Sequence, residues 1–462
     1  MAMLDRRLTA FFLANFIAAP ALADDAQPTP PATPTPPATP APEATPAAPA
    51  AAPTAPAAAP AAPAAAPAAE APAAAPKEKA KTRSVRLPGA PLGGDPEAAI
   101  RPLGQLQVWS TVWDQDVSET ADPATYGDPE ADPGFEVYRA RAGVEGDLLD
   151  AEWFGVRSTV DWRVLVGTSP AYDVPSATLY GEDTDVGMVD AWARWTLHTP
   201  IGPTRAQLGL QNISFNRERM ISSTDLLFQE RAVGGEWTAA VRDTGLTVSQ
   251  SAEIGGGAQP PKLIGHVGVY NGEPGSFLGN PSPGTMQLGR VELEIGDSYR
   301  TWDPEGDFAF GLGAAARNEM DPAVDTVTYG ADLLLRVWHV ALLAEASQQT
   351  LSLSDTTLVA PAVLAETTRQ SAMAQLSFFV PTHDAQGVEF GAQFAWFDDD
   401  VDAVTTGDVT VLHGGATWRD ALPGVDLGAG YIHRGEASSV GPWANDTLRI
   451  WTQIRPRRAS IQ

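Results

Sequence analysis

Arginines and carboxylates that recur at every second position are the first chemistry this chain offers. Arg139 and Arg141 stand two apart in the run Tyr138-Arg139-Ala140-Arg141-Ala142. Arg157, Asp161 and Arg163 share one parity with Thr159, and Asp190 and Arg194 flank Trp192 in the same way. A guanidinium stays charged at physiological pH and forks onto oxyanions, so a wall of these residues would coordinate anions. The same arginines can instead pair across strands with Asp161, Asp190, Glu136 or Glu145. The two expectations are compatible, because a wall of ion pairs still conducts.

A second charged group, Arg217, Glu218, Arg219, Glu230 and Arg231, lies within residues 214–243. Ser222-Ser223, Asp225 and the run Leu226-Leu227-Phe228 predict a short helix there. That apolar run needs cover, so the stretch is expected to fold inward and carry the charged group to the narrowest part of a passage. Packing on a rim is the alternative. Asp398, Asp399, Asp400 and Asp402 lack the glycine and terminal glutamate of a calcium loop and read as a solvated loop. Histidines 198, 266, 339, 383, 413 and 433 are scattered, and no G-x-S-x-G or H-E-x-x-H pattern occurs. Gly255-Gly256-Gly257 lacks the Lys-Ser/Thr of a phosphate loop. No catalytic residue, metal site or cofactor is therefore expected.

The elements that must position these side chains are strands. From residue 101 onward, segments of alternating polar and apolar residues are separated by Gly, Pro, Asp and Asn, the period of a strand with two different faces. Sixteen are predicted: 104–113, 134–146, 154–166, 187–197, 205–213, 244–254, 263–270, 287–295, 307–316, 325–337, 340–351, 369–379, 388–397, 408–418, 425–433 and 446–455. Tyr138, Ala140, Ala142 and Val144 oppose Arg139 and Arg141. Val160, Trp162 and Val164 oppose Thr159, Asp161 and Arg163. Val189, Ala191, Ala193 and Trp195 oppose Asp190, Trp192 and Arg194. Leu448, Ile450 and Ile454 oppose Thr447, Arg449 and Gln453.

An arginine facing lipid at the bilayer midplane costs about 2–4 kcal/mol, so the charged faces require a wet lumen or the outside of a soluble sheet. The even count, and alternate connections that are mostly long and mostly short, favour a closed all-β transmembrane barrel of 16 antiparallel strands. Its long outer connections are expected at 114–133, 167–186, 214–243, 271–286, 317–324, 352–368, 398–407 and 434–445. The short inner ones are expected at 147–153, 198–204, 255–262, 296–306, 338–339, 380–387 and 419–424.

The N-terminus supports export. Arg6 and Arg7, the apolar stretch from Leu8 to Pro20 and Ala21-Leu22-Ala23 read as a signal peptide over 1–23. Residues 24–100 form a Pro/Ala-rich linker too dense in proline for a packed core. Its basic patch, Lys77, Lys79, Lys81, Arg83 and Arg86, reads as solvated linker or as a contact with the cell wall. The chain has no cysteine, which excludes disulfides and a lipid anchor on sulfur. Of its 57 acidic and 30 basic residues, eight and seven precede position 101, leaving 49 against 23 and a net of −26 for the barrel. That balance argues against nucleic acid as a partner.

Several runs resemble the phosphate-selective porin O and P family. They are Tyr138-Arg139-Ala140-Arg141-Ala142-Gly143-Val144-Glu145-Gly146, Val189-Asp190-Ala191-Trp192-Ala193-Arg194-Trp195, Phe215-Asn216-Arg217-Glu218-Arg219-Met220 and Asp225-Leu226-Leu227-Phe228-Gln229-Glu230-Arg231. The likeness is specific over about 135–295. It implies an outer-membrane porin, commonly a homotrimer, passing small hydrophilic solutes or ions by diffusion, anions such as phosphate among them. Its surroundings would be outer-membrane lipid and lipopolysaccharide of a Gram-negative cell. The family's lysine clusters have no counterpart, because Lys262 is the sole lysine after residue 100. The first outer connection is acidic instead, with Asp114, Asp116, Glu119, Asp122, Asp128, Glu130 and Asp132. The runner-up expectation is a structural or adhesive barrel with a plugged lumen.

Overall fold

The computed structural model describes residues 100–115, 134–153, 155–168, 187–238, 242–257, 259–272, 284–321, 324–353, 366–383, 386–401, 408–438 and 441–455. The expected signal peptide, the linker up to residue 99 and residues 116–133 of the acidic first connection lie outside the described residues.

The strands are β1 (Ile100–Gln115), β2 (Gly134–Trp153), β3 (Val156–Thr168), β4 (Gly187–Thr199), β5 (Gly202–Asn212), β6 (Arg242–Glu253), β7 (Lys262–Tyr270) and β8 (Thr285–Ile295). They continue as β9 (Ala309–Met320), β10 (Val324–Val337), β11 (Val340–Leu353), β12 (Thr367–His383), β13 (Gln386–Asp398), β14 (Asp408–Leu422), β15 (Val425–Ser438) and β16 (Gly441–Ile454). Each pairs antiparallel with its neighbours in sequence. β1 closes the ring on β16, with Leu106 opposite Ile454 and Trp109 opposite Trp451. All 16 predicted segments fall on these strands. The closed ring leaves no edge strand with unpaired backbone groups.

Alternation sorts the side chains. On β8, Met286, Leu288, Arg290, Glu292 and Glu294 turn inward and are buried, while Val291 is exposed on the outside. Leu376, Phe378, Phe390, Phe394, Leu412, Trp418, Leu448 and Ile450 stand exposed on the same outer surface. An exposed apolar surface of this extent marks a contact with something other than water.

Three expectations change. First, a bulge shifts the register between Gln107 and Val108, which face Arg139 and Val137. Tyr138 is the extra residue, so it turns inward instead of joining Ala140 outside, and it stacks on Trp109 at 3.8 Å. Second, the connections expected at 317–324 and 434–445 shrink, because their flanking strands continue pairing up to Met320 and Val324, and up to Ser438 and Gly441. Third, the turn expected at 296–306 is no simple turn. Ser298, Thr301 and Trp302 are buried, and the segment folds back into the barrel.

Candidate functional site

The interior is built by the connection between β5 and β6. Two short helices form in it, α1 (Arg217–Met220) and α2 (Val233–Thr238), on either side of the segment where the sequence predicts one. Residues 223–226 do not make a helix because their backbone is taken up by the barrel wall. Gln107 donates to the Ser223 carbonyl at 3.3 Å and Gln453 to the Thr224 carbonyl at 3.0 Å. Arg419 Nη2 donates to the carbonyls of Asp225 and Leu226 at 3.4 and 2.7 Å.

The loop packs its apolar residues against inward-facing apolar positions. Ile221, Leu226, Ala232 and Val233 bury against Leu334, Leu343, Met373, Phe397 and Val409. Leu227 and Phe228 bury against Trp109, Tyr138 and Trp451, and Phe228 stacks on His413 at 3.7 Å. The expected inward fold is therefore present, and its floor is the apolar part of the inner wall. Gly391 on β13 is where Leu227 comes closest. A Cβ placed there would lie 2.5 Å from Leu227 Cδ2 and 2.7 Å from the Leu376 carbonyl. Gly391→Ala is expected to cost about 1–3 kcal/mol through overpacking, read as a lower urea midpoint of the folded barrel. An unchanged midpoint would mean that Leu227 is not seated as described.

The charged residues of the loop hold it in place. Arg217 is fully buried and donates to Asp332 at 2.9 Å, to Glu292 at 3.1 Å and to Ser298 Oγ at 2.9 Å. Arg290 joins the same carboxylates, at 2.6 Å to Asp332 and 3.0 Å to Glu292. Glu218 accepts from the Ala232 amide at 3.0 Å and from Gln393 at 3.2 Å, and its own amide donates to Glu345. Arg219 reaches the Gly235 carbonyl at 3.4 Å. Glu230 pairs with Arg449 at 2.8 Å. Arg231 donates to the carbonyls of Glu218 and Ile221, at 3.2 and 3.1 Å.

The segment 296–308 enters from the opposite end and meets the loop. Ser298 touches Arg217, and Arg300 approaches Asp225 at 3.8 Å. Thr301 donates to Glu389 at 2.8 Å, and Arg336 anchors Asp303 at 3.0 Å. Tyr299 donates to Glu292 at 2.9 Å. Burial, with Glu292 and Glu294 close by, pushes its hydroxyl well above the ordinary phenol range, so it remains a donor. Sequence reasoning missed this second inward segment. Two signals were available: it is the longest of the connections expected to be short, and it carries Tyr299 and Trp302.

These insertions divide the inner wall. Where the loop's Arg217 meets β8–β14 the charges are dry: Arg217, with Arg290, Arg336 and Arg419 on those strands, is at most 1% exposed. On β3 and β4 the inward arginines meet solvent, with Arg157, Arg163 and Arg194 exposed to 62%, 35% and 36%, while Asp190 beside them is buried. Arg163 pairs with Glu145 at 2.7 Å and lies 3.8 Å from Asp190, while Arg194 grips Asp161 at 3.1 and 2.5 Å. These are partners anticipated from sequence. Arg157 pairs instead with Asp150 at 2.8 Å, at the end of β3, because the β2–β3 register sets Asp150 beside Thr159 and brings the two within reach. Arg139 is buried, donates to Gln107 and to the Gln229 carbonyl, both at 2.8 Å, and stacks on Tyr138. Arg141 reaches Ser223 at 3.3 Å. Arg242 was not anticipated. It begins β6 just beyond the loop, where no alternating pattern marks it. Elsewhere, Asp398, Asp399 and Asp408 gather with carboxylate oxygens within 4.8 Å of one another, at the loop between β13 and β14.

No family model matches the chain, and no curated protein matches it. Among solved structures it is similar in fold to an anion-selective porin from Comamonas acidovorans, at 12% identity and a TM-score of 0.49, covering 78% of this chain and all of that one. It is also similar to OmpF of Salmonella typhi, at 12% identity and a TM-score of 0.47, covering 78% of this chain and 98% of that one. OmpT of Vibrio cholerae aligns at 10% identity with a TM-score of 0.48, over 79% of this chain and 99% of that one.

Proposed function

We propose that this chain is a porin of a Gram-negative outer membrane, a barrel through which small hydrophilic solutes and ions diffuse. The observation that carries the reading is the division of the inner wall inside a barrel whose outer surface is apolar. One sector is dry and filled by the inward loop, while β3, β4 and the start of β6 keep partly exposed arginines, Arg163, Arg194 and Arg242, that water can solvate. The exposed outer residues suit lipid, with lipopolysaccharide at the outer rim. Small outward residues such as Ala140, Ala142, Ala191 and Ala193 suit close packing of three copies. The basic end of the linker suits contact with the cell wall.

Anions such as phosphate are the ions this reading favours at Arg139 and Arg141, beside the inward loop. Purified protein in a planar bilayer under a salt gradient tests both parts. Discrete conductance steps are expected, and Arg139→Ala with Arg141→Ala should move the reversal potential toward cations. A folded barrel without conductance would overturn the channel. An unchanged reversal potential would remove the two arginines from ion selection.

One observation favours a second reading, a structural barrel with a plugged lumen: the loop and segment 296–308 enter from opposite ends and touch through Arg217 and Ser298. The same conductance measurement separates the two.

A further inference from the structure

The solvent-facing wall carries an unbroken sequence of alternating charges. Arg101 pairs with Glu145 at 3.1 Å and with Asp147 at 3.4 Å. Glu145 also holds Arg163 at 2.7 Å, Arg163 lies 3.8 Å from Asp190, and Asp190 holds Arg242 at 3.0 Å. The ladder crosses β1, β2, β3, β4 and β6. Arg101 is the second residue of β1 and Arg242 the first of β6. β1 and β6 begin at opposite ends of an up-and-down barrel, so the ladder climbs the wall from Arg101, opposite the middle of β2, toward the end where β6 begins. A side rung, Asp161 with Arg194, stands across Trp192, whose ring lies 5.3 Å from the Arg163 guanidinium and 5.1 Å from that of Arg194.

Exposure decides what such a ladder can do. The dry pairs around Arg217 cannot exchange partners, because each opening strands a buried charge. The Arg101–Glu145, Arg163–Glu145 and Arg194–Asp161 pairs are partly solvated on both sides, so opening one costs little, whereas Asp190 is buried and stands as a fixed post between Arg163 and Arg242. An incoming simple anion takes a guanidinium and leaves a carboxylate unpaired, and a simple cation does the reverse. A solute with one carboxylate and one ammonium replaces both halves of a rung at once, and every wall residue keeps an opposite charge.

We propose that the solute class this wall favours is the small zwitterion, typified by an α-amino acid, which passes from rung to rung along the Arg101–Arg242 ladder. The inference rests on the channel reading and specifies what the channel passes best.

Swelling of liposomes holding the full chain tests it with three small solutes: glycine, its uncharged isomer glycolamide, and sodium glycolate. Glycine is expected to enter faster than glycolamide by about two- to fivefold, the range that exposed ion pairs supply. It is also expected to enter faster than glycolate. Glu145→Gln with Arg163→Gln removes both halves of the central rung without stranding a charge, and should bring the glycine-to-glycolamide ratio down toward parity. Asp161→Asn with Arg194→Gln provides the same readout at the side rung should the first pair fail to fold. Equal entry of glycine and glycolamide overturns the ladder alone, as does a ratio that neither double variant changes. A folded barrel that admits no solute overturns the channel reading, and the ladder with it.

Discussion

Arg217→Met is expected to destabilise the folded barrel by about 3–5 kcal/mol, the cost of breaking a buried charge network by removing one partner. The side chain is fully buried and reaches three carboxylates, Asp332 at 2.9 Å, Glu292 at 3.1 Å and Glu294 at 3.6 Å. Methionine fills much of the volume but returns no charge. Arg290 is then left to offset both Glu292 and Asp332, all three of them buried. Arg217→Lys should recover only part of the loss, because an ammonium cannot fork onto two carboxylates and the Ser298 carbonyl together. Urea titration of the barrel, followed by loss of heat-modifiable migration, measures the effect. A loss below about 1 kcal/mol would resemble an exposed ion pair and would contradict the burial described here.

The second large effect concerns transport. Excising residues 217–238 and bridging the ends with a short Gly/Ser segment should leave the barrel closed, since the β5–β6 ladder from Thr204–Gln250 to Asn212–Arg242 needs none of them. Single-channel conductance is then expected to rise several-fold. The excision also uncovers Leu334, Leu343, Met373, Phe397 and Val409, so the open barrel should be less stable than the parent. Conductance that stays at the parental level would mean that the passage is limited elsewhere, with segment 296–308 the first candidate. Phe228→Ala is the milder form of the same test, because it removes the ring stacked on His413 and buried among Trp109, Tyr138 and Trp451 while leaving the chain length intact.

The two effects have one cause. The loop is held by charge at Arg217 and by apolar contact at Leu226, Leu227 and Phe228, and the two kinds of anchor lie on different parts of the wall. Losing the charge anchor leaves buried carboxylates uncompensated and so acts on stability. Removing the whole loop takes the apolar cover with it and opens the lumen.

Sixteen strands, their order and most of their faces were legible in the amino-acid sequence, because period-2 alternation is a local property of a strand with one dry and one wet side. The need of Leu226-Leu227-Phe228 for cover was legible for the same reason, as were Glu145, Asp161 and Asp190 as partners of the wall arginines. Tyr138 was not, since a one-residue bulge reverses its parity without altering the pattern around it. Neither was the inward course of Ser298, Tyr299 and Trp302, which depends on contacts with Arg217 and Glu389 far away in the chain. Above all, Arg163 and Arg336 both sit on the inward face of their strands, and the alternation does not tell them apart. One meets water and the other is dry because the loop and segment 296–308 lie over β8–β14, β16, β1 and β2 and leave much of β3 and β4 open. The sequence by itself determined that a closed ring of two-faced strands would form. Which half of its interior stays wet was decided only by where two distant segments come to rest, because burial is a property of the packed whole.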